Sequence, residues 1–247
     1  MKKYILLIAF SQIFSTDYYV SLTGDDFNGD GTESNPFRSI SRAIYISSPS
    51  ASNNVNIYVD EGIYSFGTTG DYFPIAIPSY VNVLGAGREL TIIDAEQSAR
   101  VINFINSASS SLSKLTITGG NTANSLNNQT YDAGISILNS SPSILEVDII
   151  ANTAGWVAGG VGIRNNSSAF FYEVNIIGNS SHTTEVGSYN DGQIKRIRMS
   201  QGGEIHFGDT TTSNFLGITE GTVSQFSDQD RIGLYYRNEL RLFSNSN

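Results

Sequence analysis

The sequence predicts an all-β solenoid, in which successive coils of the chain stack as parallel strands. The first observation is a repeat: residues 134–152 read GISILNSSPSILEVDIIAN, and residues 160–179 read GVGIRNNSSAFFYEVNIIGN. Self-similarity at a period of about 20–50 residues indicates stacked supersecondary units. The second observation is that each copy holds two short alternating runs joined by Asn/Ser turns, without helical spacing, which is typical of strands. The third is the absence of cysteine, which suits a solenoid because each coil is covered by the next.

The positions that coincide between the two copies are mostly residues that stack or turn. They are Ile135/Val161, Ile137/Ile163, Asn139/Asn165, Ile144/Phe171, Glu146/Glu173, Val147/Val174, Ile149/Ile176 and Asn152/Asn179. Diverged copies at residues 73–95 and 100–121 extend the pattern, so we expect about five coils between Val55 and Asn179. Asn121, Asn152 and Asn179 recur at one turn position, where a hydrogen-bonded ladder is expected.

Residues 1–16 are predicted to be a secretory signal peptide. A basic start (Met1-Lys2-Lys3) is followed by an apolar run, Tyr4–Phe10, and Ser15 offers a small residue for cleavage. The alternatives are an uncleaved first strand or an anchor. We therefore expect a secreted or cell-surface protein. No later stretch reaches about 18 apolar residues, so no membrane span is expected.

Residues 17–54 predict a strand, a turn and a helix. The stretch 17–24 alternates and ends in glycine, and Phe37, Ile40 and Ile44 lie at helical spacing. A further strand follows from Val55.

This N-terminal stretch carries a resemblance. YYVSLTGDDFNGDGTESNPFRSISRAI, followed by VNIYVDEGIYS, resembles the first segment of secreted right-handed parallel β-helix proteins of the pectin-lyase-like group, which often carry the DUF1565 label. The resemblance covers about residues 17–180. It implies a right-handed β-helix over residues 55–181, whose first coil is capped by the strand and helix. The group includes polysaccharide lyases, hydrolases, adhesins and proteins of unknown role, so the resemblance leaves the activity open.

The C-terminal part is predicted to form a separate small module. Residues 182–192 are polar and predict a linker, and residues 193–247 predict β-hairpins. One hairpin spans 193–208 with a Gly-Gly turn, and the other spans 230–243. The residue pattern of 193–247 is similar to that of distal segments of phage tail fibres. Small hairpins gain stability by packing or by association, so this module is a candidate surface for a homo-oligomer.

Candidate catalytic groups are sparse. A hydrolase needs two carboxylates facing one cleft, and a β-helix lyase needs a basic residue with calcium held by clustered carboxylates. Glu146 and Glu173 recur at one repeat position, so they are expected to lie about 5 Å apart on neighbouring coils. This pair is the one weak catalytic candidate. The alternative is a surface position, with Lys114 one coil earlier pairing with Glu146.

Candidate binding residues lie in loops. Tyr131 and Trp156 belong to two insertions between coils and are predicted sugar-stacking platforms, although Trp156 has the alternative of covering an apolar edge. Asp26, Asn28 and Asp30 match the opening of a calcium loop. Its twelfth position is Phe37 where a bidentate Glu is needed, so the alternative is a tight turn.

The net charge of −9 argues against nucleic acid and anionic membranes as partners. The sequence therefore favours a non-catalytic, extracellular or surface β-helix that binds a polysaccharide or cell-surface glycan, as an adhesin or fibre would. The first alternative is a polysaccharide lyase or glycoside hydrolase, and the second is a self-assembling fibre protein. No cofactor is expected apart from calcium at the candidate loop.

Overall fold

The computed structural model describes residues 14–123, 131–155, 158–164 and 167–181, together with four strands near the C-terminus. The elements are β1 (Phe14–Val20), α1 (Ile40–Ile46), β2 (Asn53–Val59), β3 (Gly62–Tyr64), α2 (Phe66–Thr69), β4 (Ile75–Ala76), β5 (Val81–Gly85), β6 (Thr91–Asp94), β7 (Ile102–Ile105), β8 (Ser111–Thr118), β9 (Ile135–Leu138), β10 (Ser143–Ile150), β11 (Thr153–Ala154), β12 (Val161–Arg164), β13 (Ser168–Tyr172), β14 (Asn175–Ile177), β15 (Ser180–Ser181), β16 (Ile197–Met199), β17 (Glu204–Phe207), β18 (Arg231–Tyr236) and β19 (Glu239–Ser244).

The strands stack in parallel on three faces of a solenoid. The first sheet has the order β1-β2-β5-β8-β10-β13-β17, and the third has the order β4-β7-β9-β12-β16. The second sheet is formed by β3, β6, the second halves of β8 and β10, and β14. Four complete coils start at β2, β5, β8 and β10, and a fifth starts at β13. The predicted parallel β-helix is confirmed, with about four coils where the sequence suggested about five.

The core consists of apolar columns that run from coil to coil. The register of the first sheet places Ile57, Val83, Leu112, Ile144 and Phe171 in one column, and all five are fully buried. They face inward because alternate side chains of a strand project to opposite faces. The other columns are Ile93, Ile117, Ile149 and Ile176 in the second sheet, and Ile102, Ile135 and Val161 in the third. The predicted stacking of Ile, Val and Phe is thus confirmed.

An asparagine ladder holds one corner of the solenoid. Asn152 and Asn179 lie on consecutive coils, 0% and 1% exposed. The Asn179 Oδ1 accepts hydrogen bonds from the Asn152 backbone N–H and from its Nδ2. Asn121 does not belong to this ladder, because it bridges Thr153, and Gly120 occupies the ladder position. The prediction for Asn121 is wrong by one residue, because the pairing keeps the same offset from Leu115 through Asn121 and so sets Gly120 opposite Asn152.

The helix α1 begins three residues later than the spacing predicted. Phe37 is extended and pairs with Val20, and its N–H donates to the Tyr19 carbonyl. Ser39 is the N-cap, and its hydroxyl accepts a hydrogen bond from the Arg42 N–H. The helix buries its Ile40 and Ala43 side chains against β1 and β2. The helix lies between β1 and β2 in the chain, and its role as a cap of the first coil stays a prediction.

The structure changes the predicted boundary of the signal peptide. β1 starts at Phe14, so residues 14–16, which were assigned to the signal peptide, belong to a strand paired with β2. Residues 1–13 and the predicted linker at 182–192 lie outside the described residues. No helix in the described part of the chain is long and apolar enough to cross a membrane.

The predicted hairpin at 193–208 is wrong. β16 pairs in parallel with β12, and β17 pairs in parallel with β13, so both strands extend the solenoid. A Gly-Gly pair permits a reversal but does not impose it, and here the free strand edges of the preceding coil supply the partners. β18 and β19 pair in antiparallel fashion, and the C-terminal hairpin module stays a prediction.

Candidate functional site

The outward positions of the first sheet carry a row of polar side chains, which we call the amide row: Asp17, Asn56, Asn82 and Ser111. The Asn56 Nδ2 donates to the Asp17 Oδ1 over 2.9 Å, and the Asn82 Nδ2 donates to the Asn56 Oδ1 over 3.0 Å. The Ser111 hydroxyl donates to the Asn82 Oδ1 over 2.8 Å. The row therefore crosses four strands, one residue per strand.

The register of the sheet explains the row. Asp17 pairs with Asn56, Asn56 pairs with Asn82, and Asn82 pairs with Ser111. Neighbouring strands lie about 4.8 Å apart, a distance that one carboxamide can bridge by donating to the next. Asp17 is exposed and the other three residues are half-buried, so the row borders solvent along its length.

A pair of tyrosines, which we call the tyrosine column, lies beside the first two members of the amide row, two residues further along β1 and β2. Tyr19 and Tyr58 are paired in register, and their rings stack with centroids 5.2 Å apart and planes inclined by 23°. Partial burial, followed by the nearby Glu33 and Asp17 carboxylates, raises the pKa of the Tyr19 hydroxyl above its ordinary value. This hydroxyl is therefore protonated at neutral pH and available as a hydrogen-bond donor.

A charged cluster lies past the bend that separates the first sheet from the second. Arg88 approaches Asp148, with its Nε 3.7 Å from the Oδ1, and its Nη2 is 3.9 Å from the Glu173 Oε2. The same guanidinium donates to the Glu173 carbonyl, and Asp148 also accepts from the Asn175 Nδ2 over 2.7 Å. Arg88 precedes β6, whereas Glu173 precedes β14, so one side chain ties together non-adjacent coils.

The predicted carboxylate pair does lie on neighbouring coils. Glu146 is opposite Glu173 because the flanking residues of β10 pair with those of β13 and β14. Both residues adopt left-handed backbone conformations, with φ of 55° and 51°, as does Lys114 one coil earlier, with φ of 56°. All three therefore form the bend itself, and the Glu173 carboxylate is shared with Arg88. The contacts of Arg88 with Glu173 fix this bend in place. The catalytic role of the pair stays a prediction.

Tyr131 lies outside the third sheet, where a buried arginine fixes its backbone. The Arg100 Nη2 donates to the Tyr131 carbonyl over 2.6 Å, and its Nη1 donates to the Asn103 Oδ1 over 3.0 Å. Asp132, fully buried, accepts from the Ser136 hydroxyl over 2.8 Å. This arrangement anchors the end of the insertion. Trp156 lies outside the described residues, so the sugar-stacking role of Tyr131 and Trp156 stays a prediction.

The side chains of the candidate calcium loop make hydrogen bonds to the loop itself and to the residues before α1. The Asp26 carboxylate accepts from the Arg38 N–H, the Ser39 N–H and the Ser39 hydroxyl. The Asp30 Oδ1 accepts from the Thr32 N–H and hydroxyl, which lower the pKa of Asp30. The Asn28 Nδ2 donates to Asp25. Among the described residues, no group of three or more His, Cys, Asp or Glu side chains is placed to hold a metal ion.

The amide row and the tyrosine column were missed at the sequence level. A signal was present: Asp17 and Asn56 are each followed two residues later by a tyrosine. Alternating polar residues are also what any solvent-facing strand shows, so only the register reveals that these side chains meet.

Residues 22–233 match the model of a protein family described as "Protein of unknown function (DUF1565)". The chain belongs to this family. No curated protein sequence matches it significantly. Among solved structures, the chain is similar to a rhamnogalacturonan lyase (TM-score 0.45, 11% identity, 77% of this chain and 50% of that one). It is also similar to a pectate lyase (TM-score 0.43, 15% identity, 84% and 58%) and to a pectin methylesterase from Erwinia chrysanthemi (TM-score 0.38, 14% identity, 78% and 66%). The chain spans less than two thirds of the length of each of these proteins.

Proposed function

We propose that this DUF1565 protein is an extracellular or cell-surface β-helix that binds a glycan across the outer face of its first sheet without cleaving it. The observation that carries the proposal is the amide row running beside the stacked tyrosines. Placement outside the cell rests on the signal-like sequence at the N-terminus, of which residues 14–16 lie in β1.

The hydrogen-bonding capacity of the row supports binding. A carboxamide has two N–H donors and two lone pairs on its oxygen. Within the described part of the chain, the Asn56 side chain uses one N–H toward Asp17 and one lone pair toward Asn82. One donor and one acceptor on this half-buried amide thus remain for water or a ligand. A sugar ring, which presents hydroxyls that both donate and accept, fits this pattern.

The rigidity of the row also supports binding. Asn56 and Asn82 are each hydrogen-bonded to row members on both neighbouring strands, and the coils are fixed by the buried apolar columns. Side chains that are already ordered lose little rotamer entropy when a ligand arrives. A static, repetitive surface of this kind is suited to adhesion to a polymer with a regular repeat.

Replacing the row tests the proposal. A glycan array with wild-type protein identifies a ligand, and calorimetry then compares Asn56→Ala/Asn82→Ala with Asn121→Ala, a control asparagine at a different corner. We expect the double variant to bind roughly 10–30-fold more weakly, at about 1 kcal/mol per lost hydrogen bond. The control is expected to bind like the wild type. Equal binding by the double variant and the wild type would show that the site lies elsewhere.

A second candidate function, a polysaccharide hydrolase, is supported by the register that places Glu146 opposite Glu173. It is tested by reducing-end release from plant and bacterial polysaccharides. Activity that is present in the wild type and lost in Glu146→Gln/Glu173→Gln would establish it. Activity that survives in the double variant would show that Glu146 and Glu173 are not the catalytic carboxylates.

A further inference from the structure

We propose that the glycan is an uncharged polymer, and that it lies along the solenoid axis, contacting one coil after another. This inference rests on the proposed function and specifies the ligand class and its direction. It is carried by the charge distribution around the first sheet and by the geometry of the amide row.

The outer face of the first sheet offers no cation to an acidic polymer. The described outward side chains of the first sheet lie on β1, β2, β5 and β13 and on the first halves of β8 (111–113) and β10 (143–145). Among them the charged one is Asp17. The rest are amides, hydroxyls, aromatic rings and two leucines. Uronate carboxylates that lost water on this face would have no opposite charge to pair with, and burying an unpaired charge is costly.

Both borders of the face are also predominantly acidic. On one side, Asp17 and Glu33 lie close enough to Tyr19 to act on its hydroxyl. On the other side, the bend carries Lys114 together with Glu146 and Glu173 on the next two coils. Arg88, beyond the bend, is already paired with Asp148 and Glu173. These borders carry more carboxylates than cations, so a polyanion would gain no net attraction from them.

The axial orientation of the polymer follows from the positions of the amide row. Its four members lie on four successive strands, so at about 4.8 Å per strand they span about 14 Å along the axis. A chain lying along the axis would meet an amide or hydroxyl on each coil, whereas a chain lying along one strand would meet a single member of the row. Affinity should therefore grow with oligosaccharide length until the row is covered.

Calorimetry with matched oligosaccharides tests this inference. The probes are neutral xylo-oligosaccharides and gluco-oligosaccharides, from disaccharide to hexasaccharide, and oligogalacturonates of the same lengths, each with added calcium and with a chelator. We expect the neutral series to bind at least tenfold more tightly than the oligogalacturonates. Its affinity should rise from disaccharide to tetrasaccharide and should not depend on calcium.

The Glu33→Gln variant provides the matched control, because it removes a carboxylate near Tyr19 that is not a member of the amide row. It is expected to leave neutral binding within about twofold and to strengthen oligogalacturonate binding about threefold.

Tighter binding of oligogalacturonate that is lost in Asn56→Ala/Asn82→Ala would overturn the uncharged ligand while retaining the face as the site. Neutral binding that is independent of length would overturn the axial direction. Binding of neither series would overturn the inference, whereas the proposed function would fail only if the glycan array also showed no ligand sensitive to the row.

Discussion

Two asparagine rows run from coil to coil in this solenoid, and they differ in their partners. In the inner row, Asn152 accepts from the Gly120 N–H and donates to the Ile117 and Ile150 carbonyls, and Asn179 donates to the Ile149 carbonyl. In the outer row, Asn56 and Asn82 bond only to other side chains within the described part of the chain. The inner row is fully buried, and the outer row is half-buried.

Asparagines that recur from coil to coil therefore serve two purposes in this protein, one structural and one open to a ligand. Loss of an inner amide leaves buried backbone groups without partners, which is costly. Loss of an outer amide leaves side chains that water can reach. The inner row is therefore expected to determine stability, and the outer row is available for a ligand.

The largest effect is expected for Asn152→Ala. The Gly120 N–H would be left without a partner, which costs about 1–3 kcal/mol for a buried group. The Asn179 Oδ1 would lose the Nδ2 donor and keep only the backbone N–H of residue 152. We expect the free energy of unfolding to fall by about 3 kcal/mol, which lowers the Tm by roughly 6–12 °C in a chain of this size. Thermal unfolding followed by circular dichroism measures this change. Asn121→Ala is the control, with an expected loss below about 1 kcal/mol. Equal losses in the two variants would contradict the distinction.

The buried carboxyl group of Asp71 extends the comparison from amides to a group that titrates. Asp71 is fully buried and accepts from the Ser41 N–H and hydroxyl and from the Thr69 hydroxyl. Burial raises the pKa of Asp71, although these hydrogen bonds oppose the change. Since the folded pKa lies above the unfolded value, folding favours the protonated carboxyl. Its contribution to stability is present below the unfolded pKa and is lost as the pH rises through the folded pKa.

Asp71→Asn reveals this dependence because the amide does not titrate. The free energy of unfolding of the wild type, relative to the variant, is expected to decrease as the pH rises above about 4. Urea denaturation at a series of pH values measures it, with Asn152→Ala as a control that removes no titratable group. A relative stability that increases over the same range would mean that the hydrogen bonds outweigh the burial.

The smallest effect is expected at the bend. Glu146 has φ of 55°, a conformation that costs most side chains about 1–2 kcal/mol and that asparagine tolerates better. Glu146→Asn should therefore raise the free energy of unfolding by about 0.5 kcal/mol and leave glycan binding unchanged. Glu61→Asn makes the same change at an exposed residue outside the left-handed region and is the control. Loss of binding or of catalysis in Glu146→Asn would give the carboxylate a functional role.

Much of the solenoid was predictable because a coil repeats its apolar spacing. Ile149 and Ile176 aligned in the sequence and stack in the structure. Asn152 and Asn179 were likewise predicted as a ladder. Asn121 was misplaced by one residue, because the asparagine next to Gly120 suggested an alignment that the strand register does not follow.

The remaining features depend on contacts that are distant in sequence. The Gly-Gly sequence at residues 202–203 predicts a hairpin locally, but β16 and β17 pair with strands of the preceding coil. The Arg88 contacts and the amide row join residues that are tens of positions apart. No local pattern distinguishes such a row from an ordinary solvent-facing strand.

The most direct test of the account measures stability and glycan affinity together for two single variants, Asn82→Ala and Asn152→Ala. The account predicts opposite rankings. Asn82→Ala should lose about fivefold in affinity and less than about 1 kcal/mol in stability, whereas Asn152→Ala should lose about 3 kcal/mol in stability and, while folded, keep its affinity. If Asn82→Ala proved as destabilising as Asn152→Ala, or retained full affinity, the outer row would be structural and the central claim would be contradicted.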